Sequence, residues 1–297
     1  MADERRVSAA SVKQRLLDLA RREGRVHEVV LVRYALERLL YRLSISRHRD
    51  EFILKGGMLV TQWLGSASRE TRDADFLGHG DADTARLREI FEELMAIDAD
   101  DALIFDTAAI RVEPIREEME YGGIRIRCAA LLERSCIPIV IDIGFGDAVM
   151  PAAATMDYPS LLGMEKPNIR AYPPAVVIAE KFQAMVALGV INGRMKDYHD
   201  LWAIPQALHV KADDLDKAVA ATFARRRTAI PAVRPDGLTH EFASDADRQR
   251  QWNRYAASIG LKDVSLETVV EAAWGLVGPS CARILQGADP KSADRRT

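Results

Sequence analysis

Two carboxylates separated by a single residue, Asp73 and Asp75, are the strongest candidates for chemistry in this sequence. They begin a short apolar run that continues to Leu77, which is typical of a buried strand. Because side chains alternate along a strand, both carboxylates project from the same face. Two negative charges this close repel each other unless a cation lies between them, and Mg²⁺ prefers carboxylate oxygens as ligands. The pair therefore predicts a magnesium site.

A third carboxylate, Asp142, interrupts the apolar run Ile137–Ile143, which we expect to form a strand covered on both sides. A carboxylate in such a strand is costly to bury unless it is paired, bonded to a backbone donor or bound to a metal. If this strand lies beside Asp73 and Asp75, the three acids form a cluster that binds divalent cations. Two such cations would align a nucleoside triphosphate and activate an attacking hydroxyl for in-line displacement.

Two adjacent glycines, Gly56 and Gly57, stand between a predicted strand at Phe52–Leu54 and a predicted helix at Met58–Leu64. Without Cβ atoms they allow a phosphate to approach the backbone closely, and the N–H groups at the start of a helix attract an anion. A simple turn is the alternative for such a pair. The ordered combination of strand, glycine pair, helix and acidic strand is more specific than any of its parts.

A second group of polar residues lies in the helical half of the sequence. Lys181 follows Glu180 on a helix that begins after Pro174, and it could be a surface ion-pair partner or a phosphate ligand. Asp197 and Asp200 are three residues apart and so share one helical face. They could cap the start of a helix and lie on its surface, or they could position an acceptor or assist its deprotonation. The spacing does not decide between the two acids.

The elements that must position these residues divide into two lobes. Two helices are predicted within Ser11–Leu43, followed by an α/β stretch from 52 to 146 and a proline-containing connection at 152–174. The segments after the connection are mostly amphipathic and helical. We therefore expect a mixed-sheet α/β lobe with N-terminal helices at 1–160 and a mainly helical lobe at 161–297.

Composition excludes several classes of protein. The chain has 297 residues, of which 48% are hydrophobic and 29% are charged, as in ordinary globular proteins. Charges interrupt the longer apolar stretches, and the first residues lack the apolar run of a secretory signal, so we expect a cytoplasmic protein without a membrane span. Residues 1–49 carry twelve Lys and Arg against six Asp and Glu. This excess is either a solvated helix face or a surface for a phosphate backbone.

Taken together, these motifs resemble the nucleotidyltransferase superfold of DNA polymerase β and CCA-adding enzymes. The closer resemblance is to the AbiEii/AbiGii toxin family, including the MenT-type toxins, and it extends over nearly the whole chain. The matching stretches occur in family order on both lobes: Ser11–Leu16, Tyr34–Leu43, Phe52–Gly57, Thr71–Phe76, Ala179–Phe182 and Lys196–Leu201.

This resemblance implies a Mg²⁺-dependent nucleotidyltransferase toxin that is neutralised by a cognate antitoxin protein. In the MenT-type branch the acceptor is the 3′ end of tRNA, whose extension blocks translation. The metal carboxylates would be Asp73 and Asp75, and Lys181 would contact the phosphates of the nucleotide. Thr71 occupies a position where many relatives have a serine, which an antitoxin of the kinase type phosphorylates in some of them. The expected nucleotide-binding residues are Lys55, Gly56, Gly57, Thr71 and Arg72.

Two other functions remain open at this stage. The first keeps the enzyme class but changes the acceptor from RNA to a protein hydroxyl or a small molecule. The second is a non-catalytic module that binds an antitoxin or RNA without turnover. Clustered acids argue against the second, since binding alone does not require them.

Overall fold

The chain forms two compact units, which the computed structural model describes over residues 7–65, 71–115 and 122–288. The first unit is built from residues 1–62, 70–146 and 154–171 and is called the α/β unit below. The second comprises residues 63–69, 147–153 and 172–297 and is called the helical unit. The predicted class, a mixed-sheet α/β lobe with N-terminal helices and a mainly helical C-terminal lobe, is confirmed.

A mixed eight-stranded sheet forms the centre of the α/β unit. The strand order is β3-β5-β6-β2-β1-β8-β7, and β4 pairs with β5 beside this path. The parallel pairs are β2 with β6 and β1 with β8. The strands are β1 (Phe52–Lys55), β2 (Asp73–Gly78), β3 (Ile104–Phe105), β4 (Arg111–Ile115), β5 (Gly123–Leu132), β6 (Ser135–Phe145), β7 (Ala154–Asp157) and β8 (Asn168–Ala171).

Four helices accompany this sheet, and their ends follow local sequence signals. Gly24 ends the first helix in the left-handed conformation, at φ +63°, which glycine adopts without a Cβ penalty. The Asp83 carboxylate accepts hydrogen bonds from Ala85 N and Arg86 N and so caps the fourth. The helices are α1 (Ala9–Glu23), α2 (His27–Ile45), α3 (Gly57–Leu64) and α4 (Thr84–Ala96).

Two sequence expectations about the sheet were wrong. The segment 152–174, expected to be only a connection, contains β7 and β8. Each has only four residues and lies between prolines, so its polar–apolar alternation is too short to distinguish a strand from a loop. The Ile137–Ile143 part of β6 is not covered on both sides, since Pro138 is exposed and Val140 is half-buried. One face of β6 packs in the core, and the other carries Asp142.

Five longer α-helices and one short one lie in the described part of the helical unit after Tyr172. Apolar side chains hold them together, as in the pair Phe182 and Phe223, whose ring centroids lie 5.1 Å apart. The helices are α5 (Pro174–Leu188), α6 (Met195–Ala207), α7 (Ala212–Arg225), α8 (His240–Ser244), α9 (Ala246–Ser258) and α10 (Leu266–Ala288).

One segment of the helical unit, Pro174–Ile191, is long and apolar enough to cross a membrane by length and composition alone. Half of it is buried inside the protein. It also contains Glu180 and Lys181, which form ion pairs with Arg226 and Asp197 of this unit. These features are those of a core helix.

A buried ion-pair network fixes α2 in the α/β unit. Asp101 accepts hydrogen bonds from Arg42 Nη2 at 3.0 Å and from Arg38 Nε at 2.9 Å. All three residues are 1% exposed. Burial alone would raise the pKa of Asp101, but the bonds and charges of Arg42 and Arg38 outweigh it and lower the pKa below its ordinary value.

Replacement of Asp101 by alanine would leave both guanidinium groups buried without their carboxylate. We expect a loss of about 3–5 kcal/mol in the free energy of unfolding, measured by urea denaturation. Because the folded pKa is depressed, the stabilising contribution of Asp101 is present above about pH 4 and is lost as the pH falls through the folded pKa.

The matched control is Glu92→Gln, which breaks the exposed pair of Glu92 with Arg88. It should change the free energy of unfolding by less than about 1 kcal/mol. Equal effects of the two substitutions would show that the Asp101 network does not anchor α2.

Candidate active site

The pairing of β2 with β6 brings the three predicted acids together. The two strands are parallel, with Asp75 directly opposite Asp142. Asp73 lies two residues before Asp75 and so projects from the same face. One carboxylate oxygen from each of the three residues lies within 4.8 Å of the others. The sequence prediction that these acids converge is confirmed.

The glycine pair leaves room for one of these acids, Asp75, and donates a hydrogen bond to it. Gly56 has φ +69°, and a Cβ atom at this position would come within 2.8 Å of Asp75 Cβ. Only glycine both adopts this conformation cheaply and leaves room for the carboxylate. Gly57 N then donates to Asp75 Oδ2 at 3.3 Å. A glycine at position 56 is therefore required by Asp75 itself, in addition to any role toward a phosphate.

Three further predicted residues surround the acids. Thr71 is 4% exposed, and its hydroxyl donates to Asp73 Oδ1 at 2.7 Å, which fixes the orientation of that carboxylate. Lys55 ends β1 opposite Asp75, and its charge lowers the pKa of Asp75. Arg72 points away from the core and is exposed. Thr71 and Lys55 thus lie beside the acids, whereas Arg72 lies at the surface.

Sequence reasoning missed Arg125, which binds the third acid. Its guanidinium donates from Nε to Asp142 Oδ1 at 2.7 Å and from Nη2 to Asp142 Oδ2 at 2.6 Å. The antiparallel pairing of β5 with β6 places Arg125 directly opposite Asp142. A bidentate bond of this kind fixes the carboxylate plane. The signal was available in the alternation of β5, which puts Arg125 and Arg127 on one face, but the partner strand was not known.

The pKa of Asp75 is raised above its ordinary value. Burial is the largest cause, followed by the negative charge of Asp73, and Asp142 adds to both. The Gly57 amide and Lys55 lower the pKa, but their effect is smaller. These contacts do not fully offset the electrostatic cost of a negative charge on Asp75. A divalent cation would offset it, because such cations prefer carboxylate oxygens as ligands.

The predicted residues of the helical unit form a second cluster. Lys181 Nζ on α5 lies 2.6 Å from Asp197 Oδ1 and 2.8 Å from Asp200 Oδ2 on α6. Arg194 Nε lies 2.8 Å from the other Asp197 oxygen. Burial lowers the pKa of Lys181, but the charges of Asp200 and Asp197 outweigh it and raise the pKa above its ordinary value. The spacing of the two acids therefore serves to hold a charged lysine.

A neighbouring ion-pair group involves Arg226, the residue that follows α7. Arg226 Nη2 lies 3.2 Å from Asp147 and 3.4 Å from Glu180, and its Nη1 donates to Gln183 at 2.9 Å. The charges of Glu180 and Asp147 outweigh burial and raise the pKa of Arg226. Arg226 thus holds α5 by these bonds.

Replacement of Gly56 by alanine tests the seating of Asp75. We expect this variant to lose more than about 2 kcal/mol in the free energy of unfolding, because left-handed strain adds to a clash with Asp75. Gly24→Ala is the matched control, since Gly24 has φ +63° and nothing within 4 Å of its Cβ position. It should lose only about 1 kcal/mol, which is the cost of the left-handed conformation alone. Equal losses in urea denaturation would exclude the clash.

The comparisons with known proteins agree with this geometry. Residues 38–273 match the family described as nucleotidyl transferase AbiEii toxin, type IV toxin–antitoxin system. No curated protein matches the chain. The crystal structure of JHP933 from Helicobacter pylori is similar, with 13% identity and a TM-score of 0.50, over 91% of this chain and 99% of that chain.

A second H. pylori crystal structure, described as a candidate nucleotidyltransferase, has 14% identity and a TM-score of 0.48, over 88% of this chain and 98% of that chain. The likeness to JHP933 shows the fold alone. The family match extends over most of the chain and includes both the three acids and the lysine cluster. The chain belongs to the AbiEii nucleotidyltransferase toxin family.

Proposed function

We propose that this toxin transfers a nucleotide from a nucleoside triphosphate to the 3′ end of an RNA, and that the acceptor is the 3′ end of tRNA. The observation that carries the proposal is the convergence of Asp73, Asp75 and Asp142 beside the glycine turn that opens α3. The three acids supply the ligands for Mg²⁺ in this reaction. Addition to the acceptor end would prevent aminoacylation and so block translation.

In the proposed reaction the terminal hydroxyl of the acceptor attacks the α-phosphorus of the triphosphate. A new P–O bond forms, the bond to the β-phosphate oxygen breaks, pyrophosphate leaves with the electron pair of that bond, and the proton of the hydroxyl passes to solvent. Mg²⁺ held by the three acids would neutralise charge on the phosphates and lower the pKa of the attacking hydroxyl. The protein supplies rigid positions: Thr71 orients Asp73, Gly57 holds Asp75, and Arg125 orients Asp142.

The lysine cluster of the helical unit is proposed to contact the phosphates. Asp197 and Asp200 keep Lys181 charged, and a charged ammonium group would offset the charge that develops on the leaving pyrophosphate. Because both acids bond Lys181, we assign them this positioning role in preference to deprotonation of the acceptor. Lys55, Gly56, Gly57 and Thr71 are proposed to line the nucleotide site, with Arg72 at its edge.

Two further parts of the proposal concern regulation and location. The family is one of toxin–antitoxin systems, so a cognate antitoxin is the expected protein partner. Thr71 lies against Asp73, and a phosphate on its hydroxyl would place negative charge next to the acids and oppose metal binding. We expect the toxin to act in the cytoplasm, where tRNA is available.

Asp75→Asn should abolish transfer, because it replaces one metal ligand with an isosteric amide. We expect at least about a hundredfold loss of label transferred from nucleoside triphosphates to tRNA in the presence of Mg²⁺. The free energy of unfolding without metal should stay unchanged or rise, since the substitution removes a destabilised negative charge and no core volume. Asp81→Asn, at an exposed position after β2, is the control and should retain full activity.

Full transfer by Asp75→Asn would show that these acids are not the active site. Label on protein or on a small molecule, with none on RNA, would replace the proposed acceptor and keep the enzyme class. If the wild-type protein transfers none of the four nucleotides, the hypothesis that remains is a non-catalytic module that binds an antitoxin or RNA.

Arg125→Gln should make the protein depend more strongly on divalent cations. The substitution removes a positive charge from Asp142, so the three acids repel each other more strongly and bind Mg²⁺ more tightly. We therefore expect the rise in Tm that Mg²⁺ produces to be several degrees larger than in the wild type. Arg127→Gln is the control, because Arg127 pairs with Glu113 and not with these acids. A Tm indifferent to Mg²⁺ in both proteins would argue against a metal site.

A further inference from the structure

The sheet face that carries the three acids also carries a pair of exposed arginines. Arg111 on β4 and Arg127 on β5 lie directly opposite each other, and both are exposed. The same register continues through Val140 on β6 to Asp73 on β2. Because residues that are paired across neighbouring strands project from the same face, all four side chains share one face. One row across the sheet therefore begins at two arginines and ends at an acid of the proposed metal site.

The strand order gives the separation of these groups along the row. Neighbouring strands lie about 4.8 Å apart, so Arg127 is about 10 Å from Asp73 across the sheet and Arg111 is about 14 Å from it. The two arginines are therefore too distant to contact a metal ion at the acids. They lie instead where the next few groups of a long substrate would pass, if its reacting end lay at the acids.

Both arginines have N–H donors that a ligand can reach. Arg127 forms an ion pair with Glu113, yet 47% of its side chain is exposed. A guanidinium group has five N–H donors in a planar fork, so a single carboxylate leaves donors for a phosphate. Arg125, in contrast, is held by both oxygens of Asp142. Arg111 and Arg127 are thus the arginines of this face that can bind an anion.

The surface beside the arginines is apolar. Val140 is half-buried and lies between Arg127 and Asp73 in the row, and Pro138 on the same face of β6 is exposed. Farther along this face, Leu131 is 38% exposed. Sugars and unpaired bases contact apolar surface, while the phosphates of the same strand bind arginines. A double helix would present mainly its phosphates and sugars. The combination therefore fits a single strand.

We propose that Arg111 and Arg127 bind phosphates near the 3′ end of a single-stranded RNA segment, with Val140 and Pro138 against its sugars and bases. The proposal rests on the nucleotidyltransferase function proposed above and identifies the surface that binds the acceptor. The terminal hydroxyl lies at the acids, and the strand crosses the sheet from β2 toward β4. The negative charge of Glu113 opposes this binding and limits its strength.

Fluorescence anisotropy tests this surface with a labelled RNA hairpin that has a short single-stranded 3′ overhang, without nucleotide. Arg111→Gln and Arg127→Gln should each weaken binding about tenfold, because each removes a charged hydrogen bond to a phosphate. Each should also make the slope of log Kd against log salt concentration shallower by about 0.7, the value for one phosphate contact with a single strand. Both side chains are exposed, so the fold should be kept.

Two further variants serve as controls of position and of sign. Arg86→Gln is matched to Arg127→Gln, since Arg86 is 49% exposed and pairs with Glu51. Its helix α4 packs on the opposite face of the sheet, where the rings of Phe91 and Phe52 lie 5.5 Å apart. This variant should keep the wild-type affinity. Glu113→Gln removes the opposing charge and should bind the RNA more tightly than the wild type.

A transfer assay separates the acceptor from the nucleotide. Arg111→Gln and Arg127→Gln should raise the KM for RNA and leave the KM for the nucleoside triphosphate unchanged. A blunt hairpin of the same stem should bind the wild-type protein more weakly than the hairpin with the overhang, because it offers no single strand.

The outcomes distinguish this proposal from the function on which it rests. Wild-type affinity and salt slope in both folded arginine variants would overturn the acceptor surface and leave the nucleotidyltransferase function intact. Equal weakening by Arg86→Gln would also overturn it, since any surface arginine would then have the same effect. Weaker RNA binding by both arginine variants, with no nucleotide transfer by the wild-type protein, would support the surface and contradict the enzymatic function.

Discussion

Mutual repulsion among three carboxylates is the constraint that the site depends on. Asp73, Asp75 and Asp142 are held with oxygens within 4.8 Å of one another by the pairing of two parallel strands. A protein gains no stability from this arrangement, since burial and like charge both disfavour the ionised forms. The fold maintains it through backbone hydrogen bonds between the strands, which do not depend on the side chains. Such an arrangement is expected where a cation or a reaction requires it.

Most contacts around the acids reduce the electrostatic repulsion among them without removing it. Arg125 and Lys55 stand on either side of the acidic pair in the same register row, so positive charges flank the negative ones across the sheet. The Gly57 amide and the Thr71 hydroxyl each donate to one acid. Together they fix where the oxygens lie before a ligand arrives, which is the preorganisation that electrostatic catalysis requires. In the helical unit the signs of the charges are reversed, because two acids surround the positive Lys181.

The sequence predicted the parts of the site that depend on local rules. The two-residue spacing of Asp73 and Asp75 on one strand and the three-residue spacing of Asp197 and Asp200 on one helix follow from backbone geometry alone. Arg125 was missed because its role depends on which strand pairs with which. Short strands such as β7 and β8 alternate over only four residues each, which is too few to distinguish a strand from a loop.

The central claim is that the three acids hold divalent cations. A crystal of the protein grown with Mn²⁺ and a nonhydrolysable nucleoside triphosphate would test it most directly through anomalous scattering. The account predicts a peak within about 2.5 Å of carboxylate oxygens of Asp73 and Asp75, with Asp142 on the same side of the sheet. A bound triphosphate with no peak at these residues, or with the metal held elsewhere in the chain, would contradict it.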